Sequence, residues 1–139
     1  MDVKTIFQPK IWYIIAGAMA LIGGIENYIN AETWAENAWG ADGVNDQSIA
    51  MEKLFGLFMA GFGAMGITCA FALDGKAQAK FALANGAVIS LFFLAMFVLL
   101  PSTGYEMPAA AFLAPPFIFM GGLMASGYLH MNEEDQPAE

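Results

Sequence analysis

The chain contains no arginine, one cysteine and one histidine, and charged residues make up only 13% of its 139 positions. Each shortage excludes a kind of chemistry. Five lysines against thirteen acidic residues leave a formal net charge of −8. Nothing can assemble a basic patch, so nucleic acid is excluded as a partner. Without a guanidinium, bidentate capture of phosphate or carboxylate is also lost. Cys69 stands alone inside an apolar run, which rules out an intrachain disulfide or a cysteine-based metal site and makes it a small core residue. His130 ends the last apolar run beside an acidic tail. A neutral imidazole could ligate a haem iron or a chlorophyll magnesium, but one histidine cannot supply two axial ligands, and no histidine and carboxylates share a metal-ligand spacing. His130 is therefore a weak metal candidate that reads as a solvated helix end, and no cofactor is assigned. No Ser-His-Asp set, phosphate loop or dinucleotide fingerprint is present.

What the chain has instead is apolar bulk: 58% hydrophobic residues, with twelve Phe, ten Met and fifteen Gly. A chain of this composition cannot cover a soluble surface. Its length is that of one domain. Four apolar runs, at about 11–29, 49–73, 81–100 and 109–130, are each about as long as a helix that crosses a bilayer core. The expected fold is all-α: an integral membrane four-helix bundle, up-down-up-down, filling residues 1–132, with an acidic disordered tail at 133–139. The first run reads as a retained helix and not a cleaved signal, because it is long, lacks a small-residue cleavage site and opens with Trp12 and Tyr13 at belt positions.

The connections carry further expectations. The short turn Asp74-Gly75-Lys76 predicts that the second and third helices are antiparallel neighbours. Pro115-Pro116 predicts a kinked fourth helix, since neither residue has a backbone donor. The acidic stretch 30–48 holds Trp34 and Trp39, expected at headgroup level on a short interfacial helix or, alternatively, on a lid over a site. Ser48 is the expected cap of the second helix. Lys4, Lys10, Lys76 and Lys80 fall on one side of a four-span chain, which places both termini in the cytoplasm.

Small residues recur at a spacing of four. Gly56, Ala60, Ala64 and Thr68 share one side of the second run, with Gly63 beside them; Ala82, Gly86 and Ser90 repeat the spacing in the third, and Gly121, Gly122, Ala125 and Ser126 in the fourth. Such stripes let membrane helices approach closely. Asn85, the strongly polar residue of the third run, is expected to hydrogen-bond across helices.

The candidate site is the polar group Glu26, Asn27, Glu52 and Lys53. An ionisable side chain at a membrane helix must reach water, pair with a cation or stay protonated. Glu26 is late in the first run and Lys53 early in the second, so a hairpin brings both to one face of the membrane. The group could bind a cation, a polar headgroup or a proton, or form a structural ion pair.

The second run opens Glu52-Lys53-Leu54-Phe55-Gly56 and continues with recurring small residues after an apolar, glycine-bearing first helix and a polar loop. This pattern resembles the DoxX-like group of small four-helix membrane proteins, and is similar to endoplasmic-reticulum scaffold proteins of sterol synthesis, with Lys53 standing where their arginine would be. The resemblance implies a four-helix fold and does not assign a function.

Two functional readings follow. The first is non-enzymatic: an accessory or scaffold subunit of a larger membrane complex, or a homo-oligomer, surrounded by membrane lipids. The second is a small membrane enzyme or binding protein for a lipid or quinone, its polar pocket formed around Glu26 and Lys53. A pigment-binding subunit, with His130, Asn85 or Glu26 as magnesium ligand, is a further alternative.

Overall fold

A computed structural model describes residues 2–107 and 110–133 of the chain. They are helical, with no strand among them. A short helix α1 (Val3–Ile6) precedes α2 (Pro9–Ile29), α3 (Ala31–Trp39), α4 (Asp46–Ala72), α5 (Gly75–Leu99) and α6 (Ala110–His130). Three stretches are long and apolar enough to cross a membrane by length and composition: Val3–Ile29, Asp46–Ala72 and Gly75–Thr103. The tail expected at 133–139 lies outside the described residues except for Glu133.

Helix boundaries follow local chemistry. Pro9 opens α2 at a position where its missing N–H costs nothing. The cap of α4 is Asn45, not Ser48: the Asn45 carboxamide accepts from Gln47 N and Ser48 N, while Ser48 Oγ accepts from Asn45 N. Ser48 is thus the reciprocating third residue of a capping box, which moves the start of the helix forward to Asp46. At the other end, the third apolar run gains a polar first turn. α5 starts at Gly75 (φ +48°), and the Gln78 side chain reaches back to the Cys69, Ala70 and Leu73 carbonyls that end α4. Carbonyls in the last turn of a helix run out of helical donors; here Cys69 O also receives the Leu73 N–H, and Gln78 supplies a side-chain donor to the group.

Close packing pairs α2 with α4. A Cβ at Gly17 would lie 2.8 Å from Gly63 O, and one at Gly56 would lie 2.6 Å from Gly24 O. Backbone thus rests on backbone at both places, with the two helices antiparallel. Along α4 the seam runs through Gly56, Gly63 and Ala70, which are seven residues apart, against Gly17 and Gly24 of α2. The expected spacing of four is corrected here: Ala60 borders the seam, but Ala64 and Thr68 are exposed. A helix face repeats after about two turns, and the glycine pair on α2 selects the sevenfold row from two overlapping candidates.

The second close pair is α5 with α6. Gly86 faces Met120 and Met124, and Gly127 meets the Ala79 carbonyl and Leu83, again antiparallel. Gly122 lies under the Trp12 ring of α2, whereas Gly121 is exposed with nothing within 4 Å. Gly121 is therefore not a packing residue in this chain.

The expectation that α4 and α5 lie side by side is also corrected. α4 runs along α2, α5 along α6, and α2 also touches α6; α4 and α5 meet only at their junction. Both spend their small-residue faces on other partners, which leaves a cleft between them. α6 continues through Pro115 and Pro116 as one helix, although the missing N–H groups leave the Ala111 and Phe112 carbonyls without helical donors. Both prolines line the cleft.

Candidate functional site

The cleft between the α2–α4 and α5–α6 pairs contains two adjoining cavities of about 170 and 230 Å³. Met59, Phe93 and Pro116 border both and mark where they adjoin. The walls are apolar: Phe62 and Met65 from α4, Ile89 from α5, Phe119 and Leu123 from α6. Polar groups sit at two places only. Near one end, Asn85 Nδ2 donates to the Tyr13 hydroxyl at 3.0 Å, the interhelical bond expected of Asn85. Near the other, Glu26, Asn27, Trp34, Glu52 and Tyr105 gather around the larger cavity.

Glu52 is the centre of that end. It is 3% exposed and accepts from Asn27 Nδ2 at 3.2 Å, and Tyr105 faces it across the same cavity. Among the described residues, no ion pair reaches it. Burial in the apolar cleft, followed by the charge of Glu52, holds the Tyr105 phenol well above its ordinary value. Asn27 is 5% exposed, and its Oδ1, resting near Gly56, has no hydrogen-bond partner.

The lid over this end is built by two connections. The Ala31, Ala35 and Ala38 face of α3 is buried, and α3 packs on α4. The loop after α5 folds onto it, with Glu106 N donating to Ala38 O at 2.7 Å and the Trp39 ring meeting Tyr105 edge-on at 5.3 Å. Trp34 Nε1 donates to Glu26 Oε2 at 3.0 Å, and Asn30 Nδ2 to Glu26 Oε1 at 2.9 Å. Glu26 is thereby held at the exposed mouth of the cavity.

Of the four residues singled out by sequence, Glu26, Asn27 and Glu52 come together and Lys53 does not. Lys53 is exposed, with its Nζ 6.0 Å from the centroid of the Tyr28 ring, and it pairs with neither glutamate. Successive side chains on a helix point about 100° apart, so burying Glu52 turns its neighbour outward. Sequence reasoning missed Tyr105, which comes from the far side of α5 in a loop with no motif. Trp34 was singled out for its loop, not for a bond to Glu26.

His130 is engaged elsewhere. Its Nδ1 lies 2.7 Å from Glu133 Oε2 and its Nε2 3.1 Å from Lys4 O, while Lys4 Nζ bridges to Glu133 Oε1 at 2.7 Å. Both ring nitrogens are occupied by this clasp between α1 and the end of α6. Among the described residues, no group of three or more His, Cys, Asp or Glu side chains is placed to hold a metal ion.

Searches with this chain match no family model, no curated protein and no solved structure.

Proposed function

We propose that this chain is an integral membrane protein that binds a long apolar molecule with a polar head, of the lipid or quinone class, in the cleft between its two helix pairs. The observation that carries this reading is the buried pair Asn27 and Glu52, with half-buried Tyr105 facing them, closing one end of two adjoining apolar cavities. Ligand sites have this form: apolar walls with a few convergent polar groups. A carboxylate in a membrane helix costs about 3 kcal/mol and marks function by default.

The membrane reading has separate support. Large apolar side chains face outward along the candidate spans, including Ile22 at 63%, Leu57 at 56%, Leu91 at 66% and Val98 at 76% exposure. No soluble monomer presents so continuous an apolar surface. The proposal is a four-span, up-down-up-down bundle, with α6 as the fourth span and the DoxX-like resemblance as part of the same reading. Lys4, Lys10, Lys76 and Lys80 sit at the ends where α2 and α5 begin, which supports a cytoplasmic location of both termini in this proposal.

A second reading, the accessory subunit or homo-oligomer, rests on Gly61 and Gly121. Both have nothing within 4 Å, and with exposed Ala64 they leave small residues outside the two seams. The seams use up most of the small residues that first suggested external partners. The pigment reading has less support, because both nitrogens of His130 are engaged.

Extraction in mild detergent followed by mass spectrometry of bound small molecules tests the main reading. Wild-type protein should carry one defined apolar molecule near one per chain, and Met59→Trp, which fills the cleft at the junction of its two cavities, should lose it. Protein carrying only bulk lipid in membrane proportions contradicts it. A stoichiometric protein partner without a bound small molecule favours the second reading.

A further inference from the structure

The polar end of the cleft has a one-sided hydrogen-bonding character. Several of its side-chain donors are turned onto its own acids: Trp34 Nε1 and Asn30 Nδ2 donate to Glu26, and Asn27 Nδ2 donates to Glu52. Acceptors remain in surplus. A carboxylate offers about four lone-pair positions, and Asn27 fills one of those on Glu52. Asn27 Oδ1 is buried without a partner. Trp39 Nε1 is a buried donor without a partner, but Trp39 does not line the cavity. The one nearby cation, Lys53, is turned outward over Tyr28.

We infer that the molecule held in this cleft presents an O–H or N–H donor to Glu52 and carries no negative charge at its head. The inference rests on the binding function proposed above and specifies its ligand. A phosphate or carboxylate head would meet the Glu26 and Glu52 carboxylates, with Lys53 turned away and no other lysine among the described residues lining the cavity. A hydroxyl head, as on a hydroquinone or a sterol-like alcohol, meets open acceptors. An ammonium head meets the same acceptors and adds charge pairing. The site therefore selects for donor capacity and against anions, which is the reverse of the usual arginine-based recognition of phospholipid heads.

The decisive comparison is made on the purified wild-type protein in neutral detergent, so that it does not depend on a variant folding. Binding is followed by quenching of tryptophan fluorescence, to which Trp34 at the cavity contributes. The probes are decylhydroquinone, its dimethyl ether, decylamine and decyl phosphate. The hydroquinone or the amine should bind at least ten times more tightly than the ether, and the phosphate should be the weakest. Whichever donor probe binds more tightly identifies a hydroxyl or an ammonium as the native head. Glu52→Gln places a donor in the site and should bring hydroquinone and ether within about threefold of each other. Tyr105→Phe removes a cavity hydroxyl but leaves the Glu52 carboxylate in place, and should preserve the discrimination. If ether and hydroquinone bind equally well to the wild type, or if the phosphate binds best, the inference on the head is overturned while binding in the cleft stands. If none of the four binds, the binding function falls and this inference falls with it.

Discussion

The Tyr105 phenol and the Glu52 carboxylate face the same cavity, bringing the loop after α5 to a buried acid of α4. The two residues belong to helix pairs that otherwise leave a cleft open between them. Tyr105 therefore closes the polar end of that cleft. Its ring meets Trp39 edge-on, and aromatic pairs of this kind contribute about 0.5–1.5 kcal/mol, so Tyr105→Ala should lower the thermal unfolding temperature in detergent measurably.

The same pair sets a pH dependence. Burial first, and then the charge of Glu52, raise the phenol in the folded protein. A raised value means that the stabilisation is fully present below the ordinary phenol value of about 10 and is lost as pH rises from there toward the folded value. In an ultraviolet titration of the native protein, exposed Tyr28 and Tyr128 should ionise before Tyr105. Glu52→Gln should bring the late-ionising tyrosine closer to the others, because it removes the charge but not the burial.

The α2–α4 seam separates two glycine rows by experiment. Gly63→Val must push α2 away from its own backbone, since even a methyl group there would collide with Leu21 and Gly17. Overpacking of this kind costs about 1–3 kcal/mol or more. Ala64→Val on the exposed side and Gly121→Ala should change stability by less than about 0.5 kcal/mol. Thermal denaturation of the three variants side by side checks the sevenfold seam, and equal effects at Gly63 and Ala64 would contradict it.

These rows also show what could be read from the chain. Helix positions followed from run length and polarity, and Glu26, Asn27, Glu52 and Lys53 stood out as a group because polar residues are rare inside such runs. The face of each helix could not be read so directly. Gly56, Ala60, Gly63 and Ala64 satisfy a spacing of four and a spacing of seven at once, and the choice is made by Gly17 and Gly24 on another helix. Those two glycines, also seven apart, were the available signal.

The site shows the same limit. Glu52 and Lys53 are adjacent, so one of them had to face away from the cleft, and nothing local says which. Asn27 on α2 decides it by donating to Glu52. Tyr105 reaches Glu52 only because α5 lies along α6 and not along α4, so its role depends on a helix arrangement that the short Asp74–Gly75 turn did not suggest.

At the opposite end of the molecule, Glu133 is held below the usual carboxylate range, first by the hydrogen bond from Lys4 and then by His130. A lowered acid stabilises the fold above its ordinary value of about 4.3, and that contribution is lost as pH falls through the lowered value. Both Glu133→Gln and acidification should release α1 from the end of α6. Hydrogen exchange at Val3–Ile6 should rise in either case, and Glu133→Gln should remove the pH dependence of that rise.

The central claim, that an apolar molecule occupies the cleft, is tested most directly by photolabelling in native membranes. A decyl-chain hydroquinone carrying a diazirine at its tail is activated by light, and labelled residues are mapped by mass spectrometry. The account predicts labelling concentrated on Met59, Phe93 and their cavity neighbours, competed away by unlabelled decylhydroquinone and absent in Met59→Trp. Labelling that simply follows outward exposure, strongest at residues such as Leu57, Val88 and Val98 and insensitive to competitor, would contradict it.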